Sequence, residues 1–164
     1  MTQNLSSLPP RLLAALSRLY ENQGEWRKLI DLLEKRALAN PKEGAALHRR
    51  VAEIFAERLR LPKNAITAYE AALAEEPADK ASWQAISLLY ERQQRWADAA
   101  RALLELVHLT PGPEAATFQL RRAELLSTRL KDPAAAKATL EEALSREPQG
   151  DAEREIRTRL AQLN

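Results

Sequence analysis

The sequence predicts an all-α fold of tandem helical hairpins, and three observations carry that prediction. The residues that favour helix dominate. Apolar and charged positions alternate with helical rather than strand periodicity. The chain also repeats itself at a fixed interval. Of 164 residues, 45% are apolar, but only 5% are aromatic. Ala and Leu make up most of the apolar set, joined by Glu, Arg, Lys and Gln, all strong helix formers. Only two Val and five Ile are present, too few of the β-branched residues that a sheet uses.

Internal repetition is visible by direct comparison. Residues 16–41, LSRLYENQGEWRKLIDLLEKRALANP, align without gaps with residues 86–111, ISLLYERQQRWADAARALLELVHLTP, at an offset of 70 with 8 identities in 26. These include Leu19/Leu89, Tyr20/Tyr90, Trp26/Trp96 and Pro41/Pro111. Residues 57–77 and 128–148 form a second pair at an offset of 71, with 9 identities in 21.

Proline and glycine divide each long unit in two. Pro41, Pro77, Pro111 and Pro148 each follow an apolar-periodic segment, where a helix stops. Pro62 falls between two such stops. Pro133, preceded by Asp132, forms an N-cap and N1 pair that starts a helix. Pro9, Pro10 and Pro113 mark other starts, and Gly24, Gly44, Gly112 and Gly150 fall at hairpin turns or between repeats. The spacing therefore predicts helices near 9–22, 25–39, 44–60, 63–76, 80–94, 96–109, 114–130, 133–146 and 151–163. Short connections predict that successive helices pack antiparallel.

The expected domain plan follows. Residues 1–8 form a disordered or linker N-terminus. Residues 9–148 form four hairpins, about 9–41, 44–77, 79–111 and 113–148. Residues 151–164 form a C-terminal capping helix. In that last helix Ile156, Leu160 and Leu163 make a narrow apolar stripe, with Glu153, Arg154, Glu155, Arg157 and Arg159 facing outward. A lone hairpin cannot bury its stripe, so stacking and a polar end cap are required. No comparable cap precedes the first hairpin.

A hairpin of about 34 residues with Trp83, Ile86, Ser87 and Tyr90, then Ala99, Leu103 and Pro111, resembles the tetratricopeptide repeat. The first hairpin carries Leu13, Leu16, Ser17, Tyr20, Gly24, Leu29, Leu33 and Pro41 at the same spacing. The second and fourth keep the latter half: Ala65, Tyr69, Ala72 and Pro77, and Ala136, Leu140, Ala143 and Pro148. Their first helices lack the Trp-Leu-Gly pattern, and Ala52/Phe55 and Ala123/Leu126 stand in for it. The resemblance implies a right-handed α-solenoid in which the first helix of each hairpin lines a concave groove. It implies a non-enzymatic protein–protein interaction scaffold.

Charge supports a groove with a basic bias. The first helices carry a net +5 and the second helices −3, within a whole-chain charge of +2. By the family's pattern, the groove-facing residues are Arg18 and Asn22; Arg49, Arg50 and Glu53; Gln84, Leu88 and Arg92; and Leu120, Arg121 and Glu124. An arginine-rich face suits carboxylates through bidentate pairs. The expected partner is thus another protein, offering an acidic peptide or helix. The carboxylate clamp known in some family members would need its Lys–Asn pair at Ala14 and Arg18, so it is not assembled. Two other readings remain open: an architectural segment of a longer solenoid or a self-associating unit, and an RNA-binding helical repeat. Low net charge argues against the last.

Chemistry-bearing patterns are missing from the sequence. There is no Cys, which rules out disulfides and thiolate metal sites. His48 and His108 show no zinc-site spacing, and no Gly-rich phosphate loop or nucleophile elbow occurs. Glu75–Glu76 and Glu141–Glu142 diverge by about 100° on a helix, so neither pair converges on one proton. Trp26 and Trp96 occupy equivalent positions, which points to packing between paired helices. No catalytic residue, metal or cofactor is expected. The N-terminal residues lack the basic and apolar regions of a signal peptide, so none is expected, and no apolar run approaches a membrane span of about 18 residues. A soluble, cytoplasmic protein is expected, and an 18-to-7 excess of Arg over Lys fits a GC-rich bacterial genome.

Overall fold

In the computed structural model, residues 9–163 are described, and among them all regular structure is helical. The expected N-terminal linker, residues 1–8, lies outside them. The helices are α1 (Pro10–Asn22), α2 (Trp26–Ala39), α3 (Gly44–Glu53), α4 (Pro62–Glu75), α5 (Lys80–Arg92), α6 (Trp96–His108), α7 (Ala116–Thr128), α8 (Pro133–Ser145) and α9 (Asp151–Leu163). Single 3₁₀ turns at Pro41–Glu43 and Gly112–Ala115 lead into α3 and α7. The fold is of the all-α helical-hairpin class.

Local chemistry sets the helix ends. Pro10, Pro62 and Pro133 sit in the first turns of α1, α4 and α8, where a missing N–H costs nothing. Asp132 caps α8 by accepting a hydrogen bond from the Ala135 N–H at 2.9 Å. The turn between α1 and α2 needs a left-handed residue, and Gly24 supplies it at φ 68°. The matching turn between α5 and α6 uses Gln94 at φ 57°. A side chain in that conformation costs about 1–2 kcal/mol, which the turn's hydrogen bonds offset.

The helix expected over 44–60 ends differently from a plain α-helix. After α3 the backbone opens into a π turn, Ile54–Arg58. The Leu59 N–H reaches the Ile54 carbonyl at 3.1 Å, and the Leu61 N–H reaches Phe55 at 2.8 Å. Arg60 is left-handed at φ 56°. These longer-range bonds satisfy carbonyls that a helix end leaves free. The end of α7 repeats the device: Leu130 N–H to Leu125 at 3.0 Å, Asp132 N–H to Leu126 at 2.8 Å, with Lys131 at φ 57°.

Two compact units divide the chain, one ending at Ser82 and the other starting at Trp83. In the first, α2 packs on α3 and α3 on α4. Leu29, Leu32 and Leu33 of α2, Val51 and Ala52 of α3, and Ala65, Ile66 and Tyr69 of α4 are buried. Ala52 and Ala65 lose all exposure, so small side chains set the close approach of α3 and α4. Leu13 of α1 is buried, but Leu12 and Leu19 stay 50% and 48% exposed.

In the second unit, α6 packs on α7, α7 on α8 and α8 on α9. Ala116, Ala123 and Leu126 of α7, Ala136, Leu140 and Ala143 of α8, and Ile156 of α9 form one buried cluster. Leu160 and Leu163 pack against its edge. The apolar stripe of α9 thus covers the hairpin before it. On its polar side, Arg157 pairs with Glu153 at 2.8 Å and Arg159 with Glu155 at 2.7 Å.

Candidate partner-binding surface on the first helices

In the first unit, Arg18 and Asn22 are four residues apart on α1, which places them on one face, and both are exposed. Arg18 has no ion-pair or hydrogen-bond partner among the described residues. Arg49 and Arg50 follow one another on α3 and therefore point about 100° apart. Arg49 donates to Asp79 Oδ2 at 2.8 Å. The same carboxylate accepts the Ser82 hydroxyl at 2.6 Å and the Ala81 N–H at 3.1 Å. Burial alone would raise the Asp79 pKa, but the bonds from Ser82 and Arg49 outweigh it and hold the carboxyl below its usual range. Asp79 is therefore the N-cap that ties α3 to the start of α5.

Arg50 binds Glu53 at 3.1 Å and also Glu21 of α1. Burial opposes its charge, yet the bonds to Glu53 and Glu21 prevail and raise the pKa. The Glu21–Arg50–Glu53 triplet staples α1 to α3.

In the second unit, Gln84, Leu88 and Arg92 are exposed on α5, Leu88 to 55%. Arg92 has no ion-pair or hydrogen-bond partner among the described residues. Leu120 is partly buried against the cluster of α7, α8 and α9, so it contributes to the core. Arg121 binds Glu124 at 2.9 Å and also Glu91 of α5. The bond to Glu91 is the main reason that its pKa is raised, against the opposing effect of burial.

The two units therefore carry one device at matching positions. Glu21–Arg50–Glu53 becomes Glu91–Arg121–Glu124 at offsets of 70 and 71. Beside each triplet, an arginine lies over a tryptophan: Arg58 is 5.2 Å from the Trp26 ring centroid, and Arg129 is 4.9 Å from that of Trp96. Such stacks add about 0.5–1 kcal/mol where exposed. Sequence reasoning named the two Trp but not their arginines, and it named Arg50 and Arg121 but not the glutamates across from them. The available signal was that Glu21/Glu91 and Arg58/Arg129 recur at the repeat offset.

An open cleft of about 600 Å³ lies in the second unit against Arg92, Trp96, Arg121 and Arg129. Elsewhere, His48 Nδ1 is 3.1 Å from Glu75 Oε1 but makes no hydrogen bond, and His108 is exposed. Among the described residues, no group of three or more His, Asp and Glu is placed to hold a metal. No helix among them is long and apolar enough to cross a membrane.

Stacked helical hairpins of this length, each unit with its own ion-pair staple, define a helical-repeat protein. Residues 12–45 match the family model described as tetratricopeptide repeat. The fold is that of tetratricopeptide-repeat proteins. A tetratricopeptide repeat protein from Parabacteroides merdae is similar over 93% of this chain and 59% of its own, at 17% identity and a TM-score of 0.64. The PilF protein of Pseudomonas aeruginosa is similar over 93% of this chain and 66% of its own, at 23% identity and a TM-score of 0.53. MamA from Desulfovibrio magneticus RS-1 is similar over 88% and 77% of the two chains, at 19% identity and a TM-score of 0.55. The chain thus spans about three fifths to two thirds of the first two. No curated protein sequence matches it.

Proposed function

We propose that this chain is a non-enzymatic, cytoplasmic scaffold whose first helices hold an acidic peptide segment or helix of a partner protein. The pattern of ion pairs carries the reading. Arg49, Arg50 and Arg121 are neutralised within their own units, while Arg18 and Arg92 are exposed cations without partners among the described residues. An unpaired guanidinium presents a full set of donors to a carboxylate.

The test is affinity capture from native lysate. The Arg18→Glu/Arg92→Glu double variant is expected to keep its far-UV circular dichroism and to lose capture by roughly tenfold or more, since reversing two rim charges sets like charges against the partner. Capture that survives the double reversal removes the reading. Arg49 is a poor choice for this test, because its loss would strip Asp79 of a partner.

A second reading, self-association or service as a segment of a longer solenoid, is favoured by Leu12 and Leu19. They are spaced seven apart, so they lie on one face of α1, and both remain about half exposed. Leu89, at the position matching Leu19, is 6% exposed. This reading expects the weight-average mass in light scattering to rise with concentration. A constant monomer mass up to millimolar protein counts against self-association.

A further inference from the structure

The residues at the cleft of the second unit differ from the matching residues of the first in charge, not in framework. Both units keep the Glu–Arg–Glu triplet and the arginine–tryptophan stack. At the cleft, Arg92, Arg121 and Arg129 face Glu91 and Glu124, a net charge of +1. The matching residues of the first unit are Asn22, Arg50, Arg58, Glu21, Glu53 and Glu57, a net charge of −1. Two exchanges make the difference: Asn22 gives way to Arg92, and Glu57 to Thr128.

We infer that this cleft is an anchor pocket for an acidic side chain, best a glutamate, on a partner protein's peptide segment. The inference rests on the scaffold reading and names the residue that the scaffold grips. Arg92 lines the cleft, and its donors have no partner among the described residues. Arg129 holds its guanidinium carbon over the Trp96 ring, 4.9 Å from the centroid, and that guanidinium has no ion-pair or hydrogen-bond partner among the described residues, so its N–H groups can serve a carboxylate. Arg121 is already committed to Glu91 and Glu124, so it fixes the wall and takes no ligand. Trp96 and Leu125 add apolar surface at the cleft, which suits the methylenes of glutamate.

The test uses the full chain and a fluorescein-labelled octa-glutamate peptide, read by anisotropy. The indole N–H resonance of Trp96, assigned by its loss in Trp96→Phe, reports on the pocket. Arg92→Asn and Thr128→Glu each install the residue of the first unit. Arg92→Asn is expected to weaken the probe about tenfold, the size of one charge-assisted bond, and Thr128→Glu by about as much, because it sets a like charge against the probe. Arg11→Gln removes an exposed charge on α1 and is expected to change affinity less than about twofold. The Trp96 resonance shifts as the probe saturates. Equal losses in all three variants overturn the pocket, as does an unmoved Trp96 resonance or an absence of binding at millimolar peptide. So does a uridine oligonucleotide that binds more tightly with the same dependence on Arg92. Each of these failures leaves lysate capture by the wild-type chain standing, so the pocket falls without the scaffold reading.

Discussion

Replacing Ile156 by Ala is expected to destabilise the second unit by about 2–5 kcal/mol, the range for truncating a fully buried aliphatic residue. Ile156 has no exposed surface, and it is the buried residue of α9 among the described ones. It closes a cluster of mostly small side chains, Ala116, Ala123, Ala136 and Ala143 among them. Alanines cannot rearrange to fill the space left by the three lost carbons of the isoleucine side chain, so the site collapses poorly. The polar side of α9 is held by exposed pairs worth about 0–1 kcal/mol each, which cannot compensate. A unit of this size has little stability in reserve. Urea unfolding followed by Trp96 fluorescence checks the prediction. A loss below about 1 kcal/mol would mean that α9 does not seal the unit.

Replacing Asp79 by Ala is expected to cost the first unit about 2–3 kcal/mol. Three bonds end on this carboxylate, and Ser82, with no exposed surface, would keep an unpaired hydroxyl. The Arg49 side chain is 37% exposed, so water screens its loss and its share is small. The pH dependence has a definite sign. The folded pKa of Asp79 lies below its unfolded value of 3.8. The stabilisation is therefore complete above about pH 4 and disappears as the pH falls through the folded value. Asp79→Asn keeps a capping oxygen but cannot titrate. Its stability is expected to be lower than wild type at pH 7, with the gap closing toward pH 2. A gap that stays constant with pH would show that the charge on Asp79 contributes nothing.

The helices were legible because proline and glycine sit at their ends and because the repeats agree with one another. The sealing stripe of α9 was legible too, since Ile156, Leu160 and Leu163 fall at helical spacing. The partners of the arginines were not. Glu21 and Arg50 are 29 residues apart, and their meeting depends on how α1 and α3 are offset along their axes. Arg49 and Arg50 read alike in the sequence, yet the turn of the helix sends one to Asp79 and the other to Glu21. Leu120 reads as a groove residue by analogy, and the structure adds that it is partly buried against the cluster of α7, α8 and α9. The stacks on Trp26 and Trp96 involve arginines at the unwound ends of α3 and α7, geometry that no spacing rule supplies.

The duplicated triplet has a consequence for how such chains can change. Each copy closes within its own unit, tying the first helices of two successive hairpins of that unit. Positions 22 and 92, and 57 and 128, stand beside the staple without belonging to it. A stretch of about 70 residues is then a cassette. It can be copied whole, with its frame kept and the charge beside that frame changed at two positions.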